Sequence, residues 1–172
     1  MQIVNGNLLD MAEEGFFDVI VHGVNCFCKQ KSGIAKQMVE RYLTNEFPKE
    51  YYTNSGDYNK LGTIDYKFAF EESNYKTGVF NMIPMFRRGF VIVNAYTQFD
   101  YQRDTHPKDT VYLNYNALRM CLDKINFKFK GKRIGLPKIG CGKAKGDWNT
   151  VKFLIETQLK DCDVTIVNYK EK

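Results

Sequence analysis

Short apolar runs alternate along the chain with polar stretches, and the period of each run suggests its element. Residues 1–4 and 18–21 read as buried strands, with Asn5, Gly6 and Asn7 turning into a short helical stretch over 8–15. The loop HGVNCFCKQKSG then feeds a helix marked by Ile34, Met38, Val39 and Tyr42, which Pro48 ends or closely follows. A polar surface loop, YYTNSGDYNKLG, precedes strands at 63–66, 78–83 and 90–95, the last apolar enough to be central in a sheet. The segment YTQFDYQRDTHPKD leads to a helix over 110–125 with a stripe of Val111, Tyr115, Leu118, Met120 and Leu122. A strand at 133–136 opens into PKIGCGKAKGDW, a helix over 149–159 and a final strand at 164–167 that carries Asn168 and Tyr169 at its end. Strand, glycine loop and helix thus occur in that order twice, which predicts an α/β sandwich with helices packed on a mixed sheet.

Composition narrows this picture slightly. At 172 residues, one domain buries roughly 68–70% of the surface its unfolded form exposes, without help from disulfides or metals. The 25 Lys and Arg against 20 Asp and Glu leave a charge of +5, spread through the chain and interleaved with acids. No dense basic stripe marks a nucleic-acid surface, whereas a small phosphorylated ligand fits this balance. The N-terminal MQIVNGNLLDM lacks the pattern of a signal peptide and no stretch is long enough to cross a bilayer, so a cytoplasmic protein is expected, with no membrane partner. Five cysteines, an odd number, suit reducing conditions, and no CxxC pair supports a metal site.

The candidate chemistry lies in the two glycine loops. Each follows a strand and opens a helix, and so presents backbone N–H groups suited to the oxygens of a diphosphate. Neither is a GxxxxGK[ST] loop, and GCGKAKG departs from GxGxxG because its third glycine comes one residue late. Asn25 either meets ribose hydroxyls with its amide or stabilises a turn. Asp147 either caps the following helix or reaches substrate, and His22 is an acid, a phosphate ligand or a satisfied core histidine. His106 defaults to a solvated role and Cys26 to a packing thiol.

VNGNLLD, IVHGVNCFCKQKSGIAKQM and LPKIGCGKAKGDW together resemble the macrodomains, a family that binds ADP-ribose and in several branches hydrolyses its derivatives. The resemblance spans nearly the whole chain and implies a three-layer α/β/α sandwich with a central mixed sheet, a single macrodomain over residues 1–172; a monomer without cofactor or metal is expected. It is nearest to the branch that contains the ADP-ribose-1''-phosphate phosphatase, the ADP-ribosyl-glutamate hydrolase and the antitoxin macrodomain that removes ADP-ribose from DNA. By this resemblance Asn25 meets the distal ribose, Ser32, Gly33, Ile34 and Ala35 one side of the diphosphate, and Ile139, Gly140, Cys141, Gly142 and Lys143 the other. Asn7, Leu8, Asp10 and Tyr169 fall near the adenosine, with Asn7 standing where many macrodomains have Asp.

The hydrolases of this branch that use a lysine carry it at the position of Gln98, in AYTQF, and glutamine has no amine to attack an anomeric carbon. The leading expectation is therefore a phosphatase that converts ADP-ribose-1''-phosphate to ADP-ribose and phosphate, with Asn25, His22 and Asp147 as its catalytic candidates. The alternatives are a hydrolase that removes ADP-ribose from protein or nucleic acid, and a non-catalytic ADP-ribose-binding module.

Overall fold

The computed structural model describes residues 1–44, 55–69 and 89–169. Along them run β1 (Gln2–Gly6), α1 (Leu8–Glu13), β2 (Val19–Asn25), α2 (Gly33–Tyr42), a 3-10 turn (Tyr58–Lys60), β3 (Ile64–Ala69), β4 (Phe90–Gln98), α3 (Tyr115–Lys128), β5 (Arg133–Leu136), α4 (Trp148–Gln158) and β6 (Asp163–Tyr169). Among the described residues the strands form one sheet in the order β1-β6-β5-β2-β4-β3. All neighbours are parallel except β3, which runs antiparallel to β4. The sheet is mixed, as its sequence pattern predicts.

Alternation along the strands builds the layers. Val19 and Val21 of β2, with Val93, Ile134, Leu136 and Ile166, pack under Leu118, Leu122, Ile125, Val151 and Ile155 of α3 and α4. Ile20 and Ile92 point the other way, to Leu8, Leu9 and Ala12 of α1 and Met38 of α2. A sheet covered on both faces explains why β2 reads as a continuous apolar run. Each fully buried Leu or Ile here stabilises the fold by roughly 1.5–3 kcal/mol. The architecture is the three-layer α/β/α sandwich.

At the N-terminal ends of β2 and β5, Arg133 clamps the two strands together. It donates from Nη2 to Asp18 Oδ1 at 2.7 Å and from Nε to Asp18 Oδ2 at 3.2 Å. The side-chain hydrogen bond with Arg133 holds the Asp18 carboxyl below its ordinary range. This clamp fixes the spacing of the strands whose opposite ends carry the glycine loops.

Several element bounds differ from the expected ones for identifiable reasons. Strand β4 runs on to Gln98 because Tyr96 and Thr97 are buried with the rest of it. Helix α3 starts at Tyr115 because Asn114 caps it, its Oδ1 accepting from Ala117 N at 2.9 Å. Val111 precedes that helix and Met120 lies on its exposed side, while Ala117 and Cys121 complete the buried face. The strand expected at 78–83 and the helix end expected at Pro48 lie outside the described residues.

Candidate functional site

The parallel strands all end on one edge of the sheet. From β2 the chain continues towards β3 and β4, and from β5 through α4 to β6 on the other side. Neighbouring strands whose connections diverge leave a crevice at their carboxyl ends. Here that crevice is a cleft of about 840 Å³. Asn25, Ser32, Gly33, Ile34 and Ala35 line one side and Ile139, Gly140, Gly142 and Lys143 the other. A third wall comes from the end of β4 and the loop after it, with Gln98, Tyr101, Gln102 and Asp104.

Asn25 shapes the first loop. Its Oδ1 accepts from Phe27 N and Lys29 N, both at 3.1 Å, and its Nδ2 donates to Lys29 O at 2.8 Å. The amide is thus largely spent on a turn, with one N–H left over. The loop leads to Ser32, the N-cap of α2, whose side chain makes no capping hydrogen bond. Gly33 opens the helix at φ +58°, in the left-handed region. The first-turn amides, on residues that line the cleft, therefore have no capping side-chain acceptor among the described residues and lie in the positive field of a helix start.

The second loop is wound tightly around Leu113. Gly140 sits at φ +73°, and a Cβ there would stand 2.6 Å from Leu113 Cδ1. A Cβ on Gly146 would stand 2.2 Å from Leu113 Cδ2, and Gly146 N donates to Gly140 O at 2.9 Å. Among the described residues, no backbone or side-chain acceptor takes the N–H groups of Gly140, Gly142 and Lys143. Around Gly142 a Cβ would meet nothing within 4 Å among the described residues.

Among the described residues, the cleft lining contains Lys29, Lys31, Lys138 and Lys143 but one carboxylate, Asp104. This concentration of positive charge beside unclaimed amides suits an anion with several oxygens. The lysines are far apart in sequence, so the interleaved charge pattern conceals them. The third-wall residues Tyr101, Gln102 and Asp104 likewise carry no local signal and reach the site only through the parallel course of β4.

Other expected site residues stand elsewhere. His22 lies wholly inside the molecule between β2 and β4, not in the cleft lining. Its Nε2–H donates to Asn94 Oδ1 at 2.5 Å, while Asn94 Nδ2 donates to Thr44 O and His22 Nδ1 has no partner among the described residues. Burial pulls its pKa down to about 4, which keeps it a neutral core histidine set away from the cleft lining. Asp147 caps α4, its Oδ2 accepting from Thr150 N and Thr150 Oγ1, both at 2.8 Å. These bonds, the backbone one foremost, lower its pKa, and its side chain is not part of the cleft lining.

Asn7 caps α1, its Oδ1 accepting from Leu9 N at 3.0 Å, and Leu8 is buried against Gly135 and Phe17. Asp10 accepts from Arg41 Nη1 at 2.7 Å, which ties α1 to α2. Tyr169 ends β6 and is exposed, on the same edge as Asn7 but beyond the cleft lining. Cys141 turns its thiol back to Ile139 O, and burial raises its pKa. Cys26 is fully buried with its thiol pushed up to about 12, as a packing residue.

No protein-family model matches the chain. A protein of Enterobacteria phage T4, described as an uncharacterised 17.5 kDa protein of the tk-vs intergenic region, is 28% identical over 179 residues, covering 99% of this chain and 97% of its own. The macrodomain of Thermus aquaticus DarG superposes with a TM-score of 0.60 at 20% identity, over 99% of this chain and 97% of that one. Thermosipho africanus DarTG, solved in complex with ADP-ribose, superposes with a TM-score of 0.61 at 13% identity, over 98% of this chain and 41% of that one.

Proposed function

We propose that this chain, which has the macrodomain fold, binds ADP-ribose with the diphosphate between the two glycine loops. The observation that carries the reading is the pair of loops facing each other across the β5–β2 crevice, their amides unclaimed and four lysines around them. A diphosphate can present oxygens of different phosphates to both loops at once. Structural similarity to a protein solved with ADP-ribose supports the choice of ligand.

Binding without turnover is the reading the geometry favours over the phosphatase. Two of the three residues expected to carry phosphate release, His22 and Asp147, serve the core and a helix cap. Asn25 has an amide but no acid or base. A second reading, hydrolysis of an ADP-ribosyl bond, draws on Asp104, the carboxylate in the cleft lining, which stands on the same wall as Gln98 and can orient a water.

Calorimetric titration with ADP-ribose tests the site, with Gly142→Asp as the diagnostic variant. The open space at Gly142 admits the new side chain, so its charge is the main change. One carboxylate roughly 6 Å from one phosphate charge, at an effective dielectric of about 40, costs ~1.4 kcal/mol, or about tenfold in affinity. Wild-type binding that falls by this factor or more in the variant supports the site; equal affinity refutes it. Phosphate release from ADP-ribose-1''-phosphate by the wild type would restore the phosphatase. Release of ADP-ribose from a modified protein or nucleic acid, lost in Asp104→Asn, would establish the hydrolase.

A further inference from the structure

The third wall of the cleft is internally braced. Asp100 accepts through Oδ1 from Tyr101 N and Arg103 Nη2, both at 2.8 Å, and its carbonyl accepts from Gln98 Nε2 at 2.7 Å. His106 N donates to Arg103 O at 3.0 Å, which closes the turn. At the end of this wall the His106 ring stacks at 27° on Tyr112, with His106 Nδ1 2.7 Å from the Tyr112 hydroxyl. Its other nitrogen, Nε2, lies 4.0 Å from Asp100 Oδ2, back on the wall.

Tyr112 belongs to the other side of the cleft. Its N–H and that of Leu113 both donate to Ala144 O, at 3.0 and 3.1 Å, and Ala144 lines the cleft within the second glycine loop. Leu113 is the side chain around which Gly140 and Gly146 close. Deeper down, Asn114 N donates to Thr97 O at 2.9 Å and pins the base of the segment to β4. The His106–Tyr112 contact therefore joins the wall to the glycine loop nearer the rim, where the spacing of the two would otherwise depend on the chain between them.

We propose that His106 and Tyr112 are positioning residues for ligand binding, a clasp that holds the post-β4 wall at a set distance from the second glycine loop. The inference deepens the proposed function and rests on ADP-ribose occupying this cleft. The clasp touches no ligand itself; it reduces the ordering that binding would otherwise require.

Tyr112→Phe keeps the ring and removes only the hydroxyl, so it preserves the packing of the segment. It and His106→Ala should each weaken ADP-ribose binding by about 5- to 20-fold, and the double variant should be no weaker than either alone. His106→Asn, whose amide can stand where Nδ1 stood, should recover most of the affinity. In the ligand-free protein, the amide NMR signals of Gly140 and Gly142 should shift in Tyr112→Phe, although neither residue touches the hydroxyl. Wild-type affinity in both single variants, with unmoved glycine signals, overturns the clasp. If the wild type does not bind ADP-ribose, the proposed function fails and the glycine signals alone judge the clasp. Should His106→Ala not fold, Tyr112→Phe decides.

Discussion

Gly140 and Gly142 stand two residues apart in the second glycine loop, yet replacing each with alanine should have very unequal consequences. At Gly140 the backbone lies at φ +73°, which costs a residue with a Cβ about 1–2 kcal/mol. The new methyl would also lie 2.6 and 2.9 Å from the two methyl carbons of Leu113. Leu113 is 5% exposed and packed into the larger core, so it cannot swing aside. Overpacking of this kind adds about 1–3 kcal/mol, for a sum of roughly 2–5 kcal/mol. At Gly142 the φ is not in the left-handed region and a Cβ meets nothing within 4 Å, so the change should stay within about 0.5 kcal/mol. Urea denaturation measures both. With a slope of about 2 kcal/mol/M, Gly140→Ala should lower the midpoint by roughly 1–2.5 M, while Gly142→Ala leaves it in place. Equal midpoints for the two variants would refute the claim that Leu113 and the left-handed turn set the shape of this loop.

Other perturbations test the remaining assignments. His22 has a folded pKa of about 4 against an ordinary 6.5, so it is neutral in the fold, and its contribution is present above pH 6.5 and lost as pH falls towards 4. That is roughly 3 kcal/mol across this window, and denaturation of His22→Gln should show a flatter pH dependence there than the wild type. Asn25→Ala removes three hydrogen bonds from the first loop and should destabilise the protein by about 1–3 kcal/mol in thermal or urea melts, while weakening ADP-ribose binding. Asp147→Ala should lower the melting temperature through loss of the α4 cap yet leave ADP-ribose affinity unchanged in calorimetry.

The sandwich was readable because its apolar periods are local. The run at 133–136 is β5 as found, and α2 and α4 fall within a residue or two of their apolar stripes. The glycine loops were readable for a similar reason, since Gly33 and Gly140 do occupy the left-handed region that only glycine enters freely. Side-chain roles were harder to read. Asn25, His22 and Asp147 each had a structural and a chemical reading; Asn25 and Asp147 are settled by partners within four residues, which the local pattern allowed but did not choose, and His22 by a distant one. His22 is committed to Asn94, 72 residues away, whereas the Asp147 carboxylate is committed to Thr150, three residues on. The lysines of the cleft were hidden because Lys29 and Lys31 meet Lys138 and Lys143 only when β2 and β5 lie side by side. His106, read as solvated, proves to be hydrogen-bonded to a tyrosine whose partner is the glycine loop.

The most direct test of the account is the crystal structure of the chain with ADP-ribose. Diphosphate oxygens should lie within about 3.2 Å of first-turn amides of α2 on one side and of the amides of Gly140, Gly142 and Lys143 on the other. ADP-ribose bound elsewhere, or the crevice between β2 and β5 empty at saturating ligand, would contradict it.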